Sequence, residues 1–143
     1  MRRAHRPFAL AVVAAALVFS AGCGGNKDKL VGKWKVTESG GKGAMKGDDK
    51  GYAYFDFAKD GTFKFGLEIT DPAEKEKAGK FIELFTFTGK YTVDGDKLQL
   101  QPADGKDKEG PFKKDAKATL KFDGNDKLTI TAPDGDMKLT RMK

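Results

Sequence analysis

The sequence predicts an all-β domain: eight short strands closing into an antiparallel up-and-down barrel, with a two-sheet β-sandwich as the alternative. Three observations carry this reading. Apolar and polar residues alternate over short runs, the period of a half-buried strand. Asp-Gly pairs at Asp60-Gly61, Asp94-Gly95, Asp123-Gly124 and Asp134-Gly135 fall between those runs, where hairpin turns belong. The single cysteine, Cys23, lies ahead of the strands, so no disulfide can staple them. Closing the sheet removes the open edges that an unstapled β-domain must protect.

The elements follow in order. Leu30 to Thr37 alternates, with Leu30, Gly32, Trp34 and Val36 on one face and Lys33, Lys35 and Thr37 on the other. Ser39 to Gly51 is rich in Gly, Lys and Asp and reads as a loop. Tyr52 to Phe57 is aromatic and reads as a strand, and Lys59-Asp60-Gly61 as a tight turn. Thr62 to Ile69 sets Phe63, Phe65, Leu67 and Ile69 against Lys64, Gly66 and Glu68. Asp71 to Gly79 fits one or two helical turns, with Asp71 as N-cap and Pro72 at the first helical position. Phe81 to Val93 reads as one long strand, with Phe81, Phe85, Phe87, Tyr91 and Val93 at odd positions and a bend or bulge at Gly89. Leu98 to Gln101 follows the turn at Asp94-Gly95-Asp96, and Ala103 to Lys114 is a second polar loop. The end is a meander of Ala116 to Phe122, Leu128 to Ala132 and Met137 to Met142. None of the Asp-Gly turns has the ligand spacing of a calcium loop.

The first 22 residues have another character. Basic Met1-Arg2-Arg3-Ala4-His5-Arg6 leads into an apolar run from Pro7 to Phe19, then Ser20-Ala21-Gly22-Cys23. A charged start, an apolar core and a small-residue cleavage region mark an export signal. The run is shorter than the ~20 residues of a membrane-spanning helix. Arg2-Arg3 is not followed by the rest of a twin-arginine motif. Ala21-Gly22-Cys23 resembles the lipobox of bacterial lipoproteins, although Ser20 stands where that pattern has Leu. The resemblance implies cleavage after residue 22, acylation of Cys23, and a cell-envelope protein held on a membrane. Gly24 in place of Asp resembles the signal for the outer membrane facing the periplasm in a Gram-negative cell. The alternative is a secreted protein cut near Ala21 with a free thiol. The expected organisation is signal 1–22, acylated cysteine and polar tether 23–29, and barrel domain 30–143.

Composition then excludes function classes. Loss of the signal removes Arg2, Arg3 and Arg6, so Lys plus Arg falls from 27 to 24 against 21 Asp plus Glu. Net charge falls from +6 to +3. Charges of both signs are interspersed, as in Lys27-Asp28-Lys29, which describes a solvated surface and no nucleic-acid partner. The only histidine, His5, leaves with the signal, and Ser39 is the only serine beyond Cys23. Nucleophilic catalysis through Ser–His or Cys–His pairs is therefore excluded, as are imidazole or thiolate metal sites. No catalytic residue, metal or cofactor is expected, and the chain is read as a non-enzyme.

Three stretches carry a family resemblance. Leu30-Val31-Gly32-Lys33-Trp34-Lys35-Val36 resembles the Gly-x-Trp first-strand motif of lipocalins and related barrels. Phe57-Ala58-Lys59-Asp60-Gly61-Thr62-Phe63 and the run from Gly89 to Leu98 resemble hairpins of small bacterial lipocalin-like domains. Together they are similar to uncharacterised paralogous families of planctomycete bacteria. The resemblance implies a calycin-type barrel in which a basic residue of the last strand crosses the tryptophan. Arg141 shares parity with Met137 and Leu139 and fills that role here, so Gly32, Trp34 and Arg141 are expected to close one end. The lipocalin loop bearing Thr-Asp-Tyr is absent.

Eight strands leave room for packed side chains or one small ligand. The candidate lining is Phe55, Phe57, Phe63, Phe65, Phe85, Phe87, Tyr91 and Phe122. Lining an apolar pocket, these residues would hold a small apolar ligand. Packed against one another, they would plug the barrel and leave its loops to engage an envelope protein, as an interaction or inhibitor module.

Overall fold

Asp-Gly turns and alternating strands build the expected barrel. The computed structural model describes residues 25–40, 50–103 and 116–143, so Cys23 and the signal lie outside the described residues. Its strands are β1 (Gly32–Ser39), β2 (Gly51–Phe57), β3 (Thr62–Ile69), β4 (Phe87–Asp94), β5 (Lys97–Pro102), β6 (Ala116–Asp123), β7 (Lys127–Ala132) and β8 (Gly135–Arg141). Each strand pairs antiparallel with the next, and β8 returns to β1. A sandwich would leave β1 at an edge; pairing on both sides rules it out.

Strands run alternately between two ends. One end, the base, gathers the turns at Asp60-Gly61, Asp94-Gly95 and Asp123-Gly124 with the end of β8. The other, the rim, holds the β3–β4 connection and the start of β8.

Three local expectations need correction. The segment expected as tether contains a short helix, α1 (Asn26–Leu30), packed on the base. Its Asn26 side-chain amide donates to the Gly95 carbonyl at 2.8 Å, and Leu30 is fully buried. Burying one leucine stabilises by about 1.5–3 kcal/mol, one of several contacts that together hold the segment. The second correction lies between β3 and β4. Asp71 caps α2 (Pro72–Lys77) as expected, its carboxylate accepting from Ala73 N–H at 2.9 Å. The next residues form a second helix, α3 (Gly79–Leu84), so the strand starts at Phe87 rather than Phe81. Phe81 and Phe85 meet as i,i+4 neighbours with ring centroids 4.4 Å apart. The Phe85 N–H bonds the Phe81 carbonyl, so Phe85 ends a helix, half-buried and apart from the barrel core.

The third correction concerns Gly89. No register shift occurs there: it faces Phe63 on one side and Pro102 on the other in regular ladders. A Cβ at Gly89 would lie 2.2 Å from the Gln101 carbonyl oxygen and 2.8 Å from the Phe63 ring. Glycine is present because neighbouring backbone approaches too closely for any side chain. The bulge instead lies in β1, between Val36 and Glu38.

Candidate functional site

The inward residues of all eight strands meet in one core. Phe55 is the hub, with its ring 5.4 Å from Phe57 and 4.9 Å from Phe65. Phe57 reaches Tyr91 at 5.1 Å and Phe63 at 6.4 Å, and Phe65 reaches Phe87 at 6.3 Å. Leu98, Leu100, Leu120, Leu128, Ile130 and Leu139 fill the other wall. These side chains are only 0–6% exposed and pack together in one cluster. Six of the eight candidate lining residues thus form a contiguous fill. Phe122 is half-buried and packs on Trp34 at 6.2 Å, nearer the base, and Phe85 lies outside. The Tyr91 hydroxyl donates to the Ala58 carbonyl at 2.7 Å, and burial raises its pKa.

Gly32, Trp34 and Arg141 come together at the base. Trp34 and Arg141 are register partners across β1 and β8, and the guanidinium carbon sits 4.2 Å from the indole centroid. Arg141 also donates through Nη1 to the Val31 carbonyl at 2.9 Å, through Nε to Asn125 at 2.8 Å, and through Nη2 to Lys29. The indole N–H of Trp34 donates to the Leu30 carbonyl at 2.7 Å. Gly32 makes space: with φ +127°, its Cβ would stand 2.8 Å from Arg141 Nη1. One cation therefore ties together the end of α1, the β6–β7 turn and the last strand. The family resemblance anticipated the stack on Trp34, with Arg141 picked out by its parity, but not the carbonyls, because backbone acceptors leave no mark in a sequence.

The rim differs. Leu67 and Met137 pack on the core yet stay partly exposed. β3 pairs with β4 only as far as Phe65↔Phe87, and α2 and α3 occupy the space beyond. α3 turns Phe81 (52% exposed) and Leu84 (71%) to solvent. These are the large exposed hydrophobic residues of the described surface. Sequence reasoning missed them because Phe81, Phe85 and Phe87 also fit a strand period. The spacing of Phe81, Ile82, Leu84 and Phe85 was the helical signal present.

The outer wall is polar. Lys33 Nζ lies 3.0 Å from Glu68 Oε2 and 4.2 Å from the Tyr54 ring centroid, and Lys35 Nζ lies 4.8 Å from that of Tyr52. The hydrogen bond to Lys33 lowers the Glu68 pKa, and the same bond raises that of Lys33. A shallow groove of about 470 Å³ runs over β3 and β4, with Thr62, Lys64, Thr88 and Lys90 on it. Among the described residues, no three His, Cys, Asp or Glu side chains gather where they could hold a metal.

Gly-x-Trp at the start of the barrel, a crossing arginine and eight meandering strands define a lipocalin-like protein. The chain belongs to the lipocalin-like domain family, whose pattern matches residues 30–114. Two solved structures share the fold. A lipocalin-like protein from Bacteroides uniformis ATCC 8492 is similar at 15% identity and a TM-score of 0.52, over 80% of this chain and 99% of that one. An uncharacterized protein from Bacteroides eggerthii DSM 20697 is similar at 13% identity and a TM-score of 0.53, over 78% of this chain and 98% of that one. No curated protein matches the chain.

Proposed function

We propose that this chain is a non-enzymatic lipoprotein of the cell envelope, acylated at Cys23, whose filled barrel serves as a rigid module for binding another protein. The observation that carries the reading is the interior: aromatic rings in mutual contact, 0–6% exposed, occupy the volume a ligand would need. Binding is then left to the surface. Phe81 and Leu84 at the rim are the strongest candidates, because exposed large hydrophobics cost solubility unless something covers them. The export signal and the Ala21-Gly22-Cys23 run support envelope placement, on the outer membrane facing the periplasm if the cell is Gram-negative.

A second reading keeps the apolar ligand but moves it to the rim. Partly exposed Leu67 and Met137 lie at the same end as α3, and an acyl-sized ligand could rest there without entering the core. Photo-crosslinking in the native cell separates the two. A photoreactive residue at position 84 should trap a discrete protein partner, and one at Lys127 on the base should not trap it. A lipid-mass adduct at position 84 with no protein adduct would favour the second reading. No adduct of either kind would count against the rim as a binding surface.

A further inference from the structure

We infer that the base of the barrel is the membrane-facing surface and that the α3 end points away from the bilayer; this rests on the proposed acylation of Cys23. The argument is one of reach. Gly25 caps α1, so Cys23 lies two residues before the first part of the chain held by the domain. Two residues span at most ~7 Å. Strands of eight residues, rising ~3.3 Å each and tilted by ~40°, make a barrel about 20 Å tall. The anchor therefore cannot run the length of the barrel, and the base stays nearest the headgroups.

The same geometry removes the usual freedom of a tether. α1 is fixed by Asn26 on Gly95, by buried Leu30, by Trp34 on the Leu30 carbonyl and by Arg141 on the carbonyls of Lys29 and Val31. The clamp that closes the barrel thus also sets its posture on the membrane. Basic and acidic residues alternate at the base, with Lys27 and Lys29 beside Asp28, Lys59 beside Asp60 and Lys127 beside Asp126. Such a surface tolerates lipid headgroups without demanding an anionic bilayer, so linker length, not charge attraction, sets the orientation. Phe81 and Leu84 are then displayed toward the compartment, where a partner protein can reach them.

The test uses the full-length protein matured in its host and reconstituted in vesicles of phosphatidylethanolamine and phosphatidylglycerol doped with a nickel-chelating lipid. Acylated Cys23 has no free thiol, so a nitroxide can be placed alone at Lys127→Cys on the base or Leu84→Cys on α3. The expected result is strong nickel-induced relaxation at Lys127→Cys and loss of the effect at Leu84→Cys. Relaxation at Leu84→Cys equal to that at Lys127→Cys overturns the orientation while leaving the anchor intact. The mass of the N-terminal peptide distinguishes the other failure: an unmodified Cys23 overturns the anchoring reading, and the orientation with it.

Discussion

Replacing Arg141 tests how much of the fold hangs on one cation. In Arg141→Met the apolar stem remains, but the guanidinium and its contacts are lost. Those contacts are the stack on Trp34 and three hydrogen bonds to backbone carbonyls, of which the one to Val31 is partly buried and the other two are exposed. The stack contributes about 1 kcal/mol, the shielded bond about 1, and the two exposed bonds together roughly another 1. The expected loss is about 3 kcal/mol, near 12 °C in Tm for a domain of this size. Trp34 is the only tryptophan and lies at the site, so its fluorescence during urea unfolding reads the change directly. The midpoint should fall with the slope unchanged. Arg141→Lys should recover less than half of the loss, because an ammonium cannot offer the planar fork that reaches three carbonyls. A Met variant within about 0.5 kcal/mol of the parent, the range of an ordinary surface change, would refute the clamp. So would a lysine variant equal to the parent.

Three further outcomes are expected. Gly89→Ala should cost about 3 kcal/mol or more in urea unfolding, since the added methyl meets the Gln101 carbonyl at 2.2 Å and backbone cannot step aside as a side chain would; a cost near zero would show that β4 and β5 are not so close. Phe55→Ala should cost about 3–5 kcal/mol and open a dry cavity, so saturating benzene should raise the Tm of the variant but not of the parent. The Lys33–Glu68 pair should leave a small pH signature. The folded pKa of Glu68 is depressed, so its contribution is present above the unfolded value near 4.3 and is lost as pH falls through the lower folded value. Lys33 is raised, so its contribution holds below about 10.4 and is lost as pH rises through the higher folded value. Both side chains are more than a third exposed, at 37% and 42%, so each limb is worth only a few tenths of a kcal/mol. Glu68→Gln should flatten the acid limb of a stability–pH curve, and an unchanged limb would discount the pair.

What the sequence revealed follows from what a strand period can express. Trp34, Phe55, Phe57, Phe63, Phe65 and Leu139 were legible because alternation places them on one face, and that face proved buried. Arg141 was legible through the family resemblance, which implies a basic residue of the last strand across the tryptophan; its parity with Leu139 then picked it out. The period fails where two structures share it. Phe81, Phe85 and Phe87 satisfy spacing by two and also, in part, spacing by four, and the i→i+4 bond from Phe85 to Phe81 decided for helix. Gly89 was correctly singled out, but the sequence does not say whether a strand glycine marks a bulge or a close approach. α1 was hidden because its five residues are mostly charged, with one buried leucine, and the hydrogen bonds that hold it run largely to backbone carbonyls. Whether the barrel was empty or filled depended on volumes, which no alternation pattern contains.

The most direct test of the filled barrel is native mass spectrometry of the chain from residue 24 onward, purified from its own host without organic solvent. A packed core that excludes ligand should give the bare polypeptide mass, unchanged by delipidation. A reproducible added mass that delipidation removes would contradict the filled interior and return the barrel to the role of a carrier.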